Sequence, residues 1–471
     1  MRRTKIVCTL GPASSSEAVM EAMLKNGMNV ARLNFSHGSH EQHGEMIDRF
    51  RKVRDRLGVP AAVLLDTKGP EIRIRLVKDG CVELENGAPF VLTTRDVEGT
   101  SEIVSITYAD LPRQMKEGYR ILIDDGKIQL RVEKTEETEI YCTVIAGGEL
   151  RSRKSINVPM VSLDMPYISE QDKQDILFGI EKDVDFVAAS FVRRADDVIA
   201  LRKLLDYHGG HSIRIIAKIE NIEGVNNFDE ILREADGIMV ARGDMGVEVD
   251  FEKLPGIQKR FIRKCYQSGK MVITATQMLE SMIESPMPTR AEISDVANAV
   301  FDGTSAVMLS GETAMGFDPA HVVNYMAKIV RQADKEAAEL NVFRGLKHEI
   351  DFTDISNAIC DAACTTARDM NAKAILVVTK TGRTARRVSK FRPAEGIVAA
   401  TPEDKTFHQL ALSWGVEPVL ALNQADNDRL FRHAIDCARQ NDLVVRGDRV
   451  VIVAGMPITE HTNSLKVFTV E

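Results

Sequence analysis

Short apolar runs alternate with longer amphipathic stretches along most of this chain. The runs are rich in valine and isoleucine, which favours β-strands, and the stretches between them favour helices. This alternation is typical of βα units around a parallel sheet. It predicts strands at Lys5–Thr9, Val30–Asn34, Ala62–Asp66, Phe186–Ser190, Ile215–Ile219, Gly237–Ala241, Met271–Ala275 and Ala306–Ser310.

The spacing of these runs predicts a (β/α)8 barrel, because most of them recur at the interval of one βα unit. The gap between the third and fourth runs is several times longer. It holds strand candidates separated by glycine, asparagine and aspartate turns, which predicts a small all-β domain inserted beside the active-site face as a lid. These candidates are Val82–Leu84, Phe90–Thr93, Ile103–Ile106, Ile121–Ile123, Ile128–Val132 and Ile140–Val144.

Beyond residue 345 a new series of strands and helices predicts a separate doubly wound α/β domain. The predicted strands are Ile375–Val378, Ile397–Ala400, Val419–Leu422, Val450–Ala454 and Val467–Thr469, with helices at Asp354–Met370 and Asn427–Gln440. We therefore predict four segments: barrel residues 1–69, an inserted β-barrel lid at 70–165, further barrel residues 166–345, and a C-terminal α/β domain at 346–471.

Composition and charge narrow the classes of partner. The chain has 471 residues, 44% of them hydrophobic and 28% charged, with a formal net charge of −8. Such a chain is globular, and its acidic balance argues against nucleic acid or an anionic membrane surface as a partner. No apolar run reaches the roughly 18 residues of a membrane helix. The seven cysteines lack disulfide or metal-ligand spacing, which predicts reduced thiols and a cytoplasmic location.

Polar residues follow six of the predicted barrel strands, at the end where barrels of this kind carry active sites. Helix caps or one ion pair explain a single polar strand end, but six on one rim indicate chemistry. These strand ends are residues 32–38, 66–73, 218–221, 242–244, 274–277 and 310–312.

Three of these residues suggest a metal-assisted reaction. Lys218 and Glu220 lie on one face of a strand, because side chains alternate with a period of two. Glu220 and Asp244 end neighbouring strands and can share one Mg²⁺. A lysine beside that ion suits charge on an enolate or a phosphoryl group. Positive charge for a polyphosphate would come from Arg32, Arg73 and Lys154. The alternative is an ion-pair network that only seals the barrel.

Several stretches, read in order, resemble the pyruvate kinase family. They are residues 4–12 (TKIVCTLGP), 32–38 (RLNFSHG), 66–73 (DTKGPEIR), 217–221 (AKIEN), 239–244 (MVARGD) and 274–316. The resemblance extends through the C-terminal domain and accounts for both the inserted lid and the appended domain. It implies transfer of phosphate from phosphoenolpyruvate to ADP, giving ATP and pyruvate, in an enzyme that is typically a homotetramer.

The resemblance also implies a role for individual residues. Glu220 and Asp244 would bind Mg²⁺ or Mn²⁺, and Lys218 would stabilise the phosphoryl and enolate charge. The backbone at Gly243 and the hydroxyl of Thr276 would contact the substrate carboxylate, with Thr276 also near the proton delivered to the enolate through water. The remaining expected roles are Arg32 near the phosphate, Asn34, Ser36, Asp66 and Thr67 around K⁺, and Arg73, His37, Lys154 and Asn34 at the nucleotide.

Residue 71 bears on the monovalent cation. In this family a lysine at the matching position can replace K⁺, because it brings its own positive charge. Here the residue is Glu71, so we expect activity to depend on K⁺.

A second phosphate site is expected in the C-terminal domain. There a loop follows a strand and opens a helix, a geometry that suits phosphate, and the family binds an allosteric sugar phosphate on this loop. The alternative is simple helix capping by Thr381 or Thr384, with Arg383 solvated. Glu460 suits a second phosphate poorly, so the candidate effectors are fructose 1,6-bisphosphate, a sugar monophosphate and AMP, and the absence of any effector is a further alternative. The loop residues are Thr379, Thr381, Gly382, Arg383 and Thr384.

Two other functions remain open on the residues alone. One is a different Mg²⁺-dependent barrel enzyme that forms an enolate, such as an aldolase or an acyl lyase acting on a keto acid; it explains neither the lid nor the arginines. The other is a catalytically silent protein that binds a metabolite, against which the complete set of Lys218, Glu220, Asp244 and Thr276 argues.

Overall fold

The computed structural model describes residues 2–159, 161, 163–343, 353–422, 426–455 and 461–471. A closed parallel barrel of eight strands forms its centre, with each strand beside its neighbour in sequence and the eighth beside the first. The barrel prediction is confirmed. The strands are Lys5–Thr9, Val30–Asn34, Ala62–Asp66, Phe186–Ala189, Arg214–Ile219, Gly237–Ala241, Met271–Ala275 and Ala306–Leu309.

Helices surround the barrel and bury their apolar faces against its outer surface. Their ends follow local sequence rules: Ser39 and Gln42 form a capping box at the start of one helix, which Gly58 ends at a φ of 63°. These helices are Glu17–Asn26, His40–Leu57, Glu170–Glu181, Ala195–Tyr207, Ile222–Asn226, Phe228–Glu234, Arg242–Glu248, Leu254–Gln267, Arg290–Asp302, Gly311–Ala314 and Pro319–Glu339. Within the described residues, no helix is both long and apolar enough to cross a membrane.

The inserted all-β domain is confirmed and has its own apolar core. A bridge between Ile74 and Ile106 joins the two edges of its main sheet. That sheet contains Ile72–Arg73, Pro89–Thr93, Ile103–Ser105, Arg120–Ile123, Ile128–Thr135, Glu139–Ala146 and Ser155–Asn157. A second, two-stranded sheet pairs Cys81–Leu84 with Gly148–Arg151, and one short helix spans Leu111–Gln114. Three strands were not predicted, because runs of two to four residues carry no readable alternation: Ile72–Arg73, Gly148–Arg151 and Ser155–Asn157.

The C-terminal domain is a five-stranded sheet with four parallel strands and an antiparallel edge. Its third strand was predicted wrongly as Val419–Leu422: the strand is Val416–Leu420, where the main chain pairs in register with residues 397–401. The other strands are Ala374–Val378, Gly396–Thr401, Arg449–Gly455 and Thr462–Thr469, and the helices are Ile355–Asp369, Arg383–Lys390, Asp404–Gln409 and Asn427–Gln440. The predicted boundary between residues 345 and 346 lies outside the described residues.

The C-terminal domain packs on the barrel at the face where the strands begin. Trp414 is buried there. The Arg392 guanidinium lies 4.5 Å from the Trp414 ring centre and donates to the carbonyl of Gly303 at 2.9 Å. The opposite rim of the barrel, where the strands end, faces the inserted domain.

Candidate active site

Lys218 lies at the centre of a buried polar network at the rim where the barrel strands end. Its Nζ is 3.0 Å from Asp66 Oδ1 and 2.9 Å from Glu220 Oε1, and it donates to Ser190 Oγ at 2.6 Å. Burial alone would lower the pKa of Lys218, but Asp66 and Glu220 outweigh it and raise that pKa. The lysine is therefore a fixed positive charge in the rim.

Glu220 and Asp244 form the acidic side of this network. Burial raises the pKa of Glu220 to about 7; Lys218 opposes that rise and Asp244 adds to it. Burial also raises the pKa of Asp244. Glu220 is buried and Asp244 is partly buried. Neighbouring carboxylates of this kind disfavour each other's charge, and a cation between them removes that cost. Within the described part of the chain, no cluster of three or more His, Cys, Asp or Glu residues is arranged for a metal, so the protein offers this pair rather than a complete cage.

Arg32 and Asp66 join the second and third strands across the rim. Arg32 Nε donates to Asp66 Oδ2 at 2.6 Å, and Arg32 also donates to Thr9 Oγ1 at 2.8 Å. Burial would raise the pKa of Asp66, but Arg32 and Lys218 outweigh it and hold the pKa below its ordinary value. Asp66 is thus an ionised carboxylate shared by two cations.

The other residues expected around K⁺ flank Asp66. Asn34 ends its strand, and its Oδ1 accepts from the Ser36 amide at 3.2 Å. Thr67 Oγ1 accepts from the Ser190 amide at 3.1 Å. Glu71, whose charge bears on the K⁺ requirement, pairs with Arg73 Nε at 2.8 Å.

Gly243 and Thr276 meet on the sixth and seventh strand ends. The Gly243 amide donates to Thr276 Oγ1 at 2.9 Å, and that hydroxyl donates to the Ala275 carbonyl at 2.6 Å. A Cβ at residue 243 would lie 3.6 Å from Thr276 Oγ1, an ordinary van der Waals contact. The pair lies beside Asp244, the next residue in the chain.

A cleft of about 510 Å³ opens between this rim and the inserted domain. Lys154 reaches it from the lid, where its Nζ is 2.8 Å from Asp124 Oδ1. A hydrogen bond from Asn157 to Glu248 Oε1, at 3.1 Å, joins the lid to a barrel helix. Predicted site residues that line the cleft are Arg32, Asn34, Ser36, His37, Arg73, Lys154, Lys218, Glu220 and Asp244; Gly243 and Thr276 are not among the described residues that line it.

The loop expected to bind an effector is largely satisfied by the protein itself. Thr379 Oγ1 accepts from the Gly382 amide at 3.0 Å, and Thr384 pairs with Thr462 at 2.8 Å between hydroxyls. The helix begins at Arg383 after Gly382, which has a φ of 73° and no side-chain cap. The helix therefore has no side-chain cap from Thr381 or Thr384. Thr381 and Arg383 are exposed. Glu460 lies outside the described residues.

Ser190 is the main residue of the network that sequence reasoning missed. Its hydroxyl lies between Lys218 and Asp66 and donates to the Thr67 carbonyl at 2.6 Å. The signal was its place at the end of the fourth predicted strand, but a lone serine there looks like an ordinary turn residue.

Comparison with known proteins agrees with this geometry. The family model for the pyruvate kinase barrel domain matches residues 1–323, and that for the pyruvate kinase alpha/beta domain matches residues 357–468. The pyruvate kinases of Staphylococcus haemolyticus and Staphylococcus aureus (strain MRSA252) are each 48% identical over all of this chain and 81% of their own length. That of Clostridium acetobutylicum is 46% identical over 100% of both chains. The chain therefore belongs to the pyruvate kinase family and is a phosphotransferase.

Proposed function

We propose that the chain transfers the phosphoryl group of phosphoenolpyruvate to ADP, giving ATP and the enolate of pyruvate, which then takes a proton to give pyruvate. This is a reaction of glycolysis. The observation that carries the proposal is the Lys218 ammonium, held within 3.0 Å of Asp66 and Glu220 in a cleft whose lid presents Lys154. Phosphoryl transfer needs mainly positioning and neutralised charge, which this arrangement supplies.

Glu220 and Asp244 are the proposed ligands of Mg²⁺ or Mn²⁺. Their fit rests on a buried carboxylate, Glu220, beside a partly buried one, Asp244. Burial raises the pKa of both, and a bound cation would offset the cost of charging them together. When bound, the ion supplies Lewis-acid stabilisation of oxygen charge. Phe191 donates its amide to Glu220 Oε2 at 2.6 Å and fixes the carboxylate plane.

The surrounding residues are proposed to bind and orient the substrate. Lys218 and Arg32 face the phosphoryl group and carry the positive charge that it needs. The Gly243 amide and Thr276 hydroxyl hold the substrate carboxylate. Thr276 also orders the water that delivers a proton to the methylene carbon.

Two further sets of residues are proposed for K⁺ and for the nucleotide. Oxygen atoms of Asn34, Ser36, Asp66 and Thr67 suit a monovalent cation beside the transferring phosphate. Closure of the lid would carry positive charge from the inserted domain to the ADP phosphates and exclude water. The residues proposed at the nucleotide are Arg73, His37, Lys154 and Asn34.

The domain boundaries, the assembly and the regulation are proposals too. We propose barrel segments 1–69 and 166–345, a lid at 70–165 and a regulatory domain at 346–471. Exposed apolar side chains at Met287, Met315 and Phe317 support self-association into a homotetramer. The C-terminal domain is proposed to bind a sugar phosphate or AMP at residues Thr379, Thr381, Gly382, Arg383 and Thr384.

An assay coupled to lactate dehydrogenase tests the main proposal, with ADP varied at fixed phosphoenolpyruvate. Pyruvate should form only when ADP, a divalent cation and K⁺ are all present. Pyruvate release that does not depend on ADP would favour the enolate-forming lyase. No turnover above background would favour the silent metabolite-binding protein.

A further inference from the structure

The turn after the seventh barrel strand has an uncommon backbone. Thr276 and Gln277 have φ values of 69° and 54°, in the left-handed region that glycine favours. A β-branched residue rarely adopts it, because its Cβ substituents crowd the main chain. Two consecutive residues other than glycine persist in this left-handed conformation only where the surrounding structure holds them. The restraint that holds them therefore also sets the position of the Thr276 hydroxyl.

Arg242 holds this turn from the carbonyl side. Its guanidinium donates to the carbonyl of Ala275 at 3.3 Å, to that of Thr276 at 3.2 Å and to that of Gln277 at 3.1 Å. The buried side chain thus donates hydrogen bonds to three consecutive carbonyl oxygens. Its remaining Nη1 lies 2.9 and 2.6 Å from the two carboxylate oxygens of Asp295. A planar fork with several donors can do this, whereas a lysine ammonium cannot match the geometry.

Glu312 holds the same segment from the amide side. Its Oε1 accepts from the Leu279 amide at 3.1 Å, and its Oε2 accepts from the Ser310 amide at 2.6 Å. Only Arg242, however, also adjoins the reacting groups in sequence, because Gly243 and Asp244 follow it directly. One side chain therefore links the carboxylate proposed for the metal to the hydroxyl proposed for the proton step.

We infer that Arg242, held by Asp295, is a positioning residue that fixes the left-handed turn at Thr276 and so places the Thr276 hydroxyl for proton delivery to the enolate. This inference rests on the proposed function and deepens it. It assigns Arg242 no contact with substrate. Loss of the guanidinium frees the turn to relax, and the proton step should suffer more than nucleotide binding.

The proton step can be observed without phosphoryl transfer. A C–H bond of the pyruvate methyl group breaks, its proton passes to solvent, and the enolate carbon takes a deuteron from D₂O. Proton NMR follows the loss of the methyl signal at fixed Mg²⁺, K⁺ and ATP. We compare the parent chain with Arg242→Ala and Asp295→Asn. The matched control is Arg392→Ala, which removes another buried guanidinium bonded to carbonyls at the domain junction.

Arg242→Ala should slow methyl exchange and kcat by at least about tenfold. This is less than the roughly 10²-fold that follows loss of a general acid–base or oxyanion group itself, because Arg242 acts only through Thr276. Its KM for ADP should stay within about twofold, since uniform binding is unaffected. Asp295→Asn should show the same pattern more weakly. Millimolar guanidinium chloride should restore part of the exchange in Arg242→Ala and none in Arg392→Ala.

Exchange within about threefold of the parent in Arg242→Ala would overturn the inference. So would a defect that guanidinium fails to restore, because it would indicate a general loss of structure. A parent chain that transfers no phosphoryl group to ADP would instead contradict the proposed function, and the two failures are thereby distinguished.

Discussion

The barrel rim and the loop at residues 379–384 follow the same topological rule with different results. Both lie where parallel strands end, and both contain hydroxyl groups and cationic side chains. At the rim, Lys218, Asp66 and Glu220 are buried, and Lys218 pairs with both carboxylates. In the loop, Thr379 and Thr384 bond to their own domain, while Arg383 is exposed.

This contrast separates a preorganised site from an adaptable one. Buried charges are held by their partners, so their geometry is set before a ligand arrives and suits catalysis. In the loop, Thr379 and Thr384 already bond within the domain and the Arg383 side chain is exposed. Among the described residues no partner there fixes the position of the cation, so a ligand would have to order it on binding. Changes at the rim should therefore be large and act on turnover, and changes at the loop should be small and act on affinity.

Lys218→Met should have the largest effect. It removes the central positive charge and leaves Asp66 and Glu220 facing each other, so we expect kcat to fall by at least about 10²-fold, as for loss of one transition-state donor. Steady-state kinetics with saturating substrates measures it.

Lys5→Met is the matched control. Lys5 is also a buried strand lysine, but its Nζ bonds the Val416 carbonyl at 2.7 Å at the other end of the barrel. It should lower thermal stability while kcat changes by less than about threefold. A loss below about tenfold in Lys218→Met would remove Lys218 from its proposed role.

Removal of K⁺ should have the next largest effect. In buffer without K⁺ or NH₄⁺, activity should fall by about tenfold or more, because one fixed positive charge near the phosphate is missing. Glu71→Lys should abolish most of this dependence by bringing its own charge. Glu71→Gln, which only breaks the pair with Arg73, should keep it. Undiminished activity of the parent chain without either cation would contradict the K⁺ proposal.

Lys154→Met should weaken nucleotide binding rather than slow the chemical step. Lys154 and Lys127 both pair with Asp124, at 2.8 and 3.2 Å, but only Lys154 lines the cleft. We expect the KM for ADP to rise by roughly five- to tenfold in Lys154→Met, the worth of one hydrogen bond at a partly exposed site. It should stay unchanged in Lys127→Met. Equal effects of the two changes would mean that Lys154 acts by pairing with Asp124 and does not contact the nucleotide.

The sequence anticipated those parts of the molecule that repeat or that carry charge in a pattern. The eight barrel strands follow from apolar runs at even spacing, and Lys218 with Glu220 follows from a period of two. The roles of Ser190 and Arg242 were not predicted, because they depend on groups far away in the sequence. Ser190 contacts Asp66 on the neighbouring strand, and Arg242 contacts the carbonyls of a turn that no propensity predicts. The strand at Val416–Leu420 was misplaced because its register depends on the neighbouring strand rather than on its own pattern.

The smallest effects should come from the loop in the C-terminal domain. Calorimetric titration with fructose 1,6-bisphosphate, glucose 6-phosphate and AMP compares the parent chain with Arg383→Glu. If the loop binds a phosphate, the reversed charge should weaken the binding of that ligand by roughly fivefold, because an exposed cation contributes about 1 kcal/mol. Arg446→Glu, on a surface turn of the same domain, controls for net charge. Equal affinity in the two variants would mean that the loop holds no phosphate, and the contrast with the barrel rim would then be one between a site and an ordinary helix start.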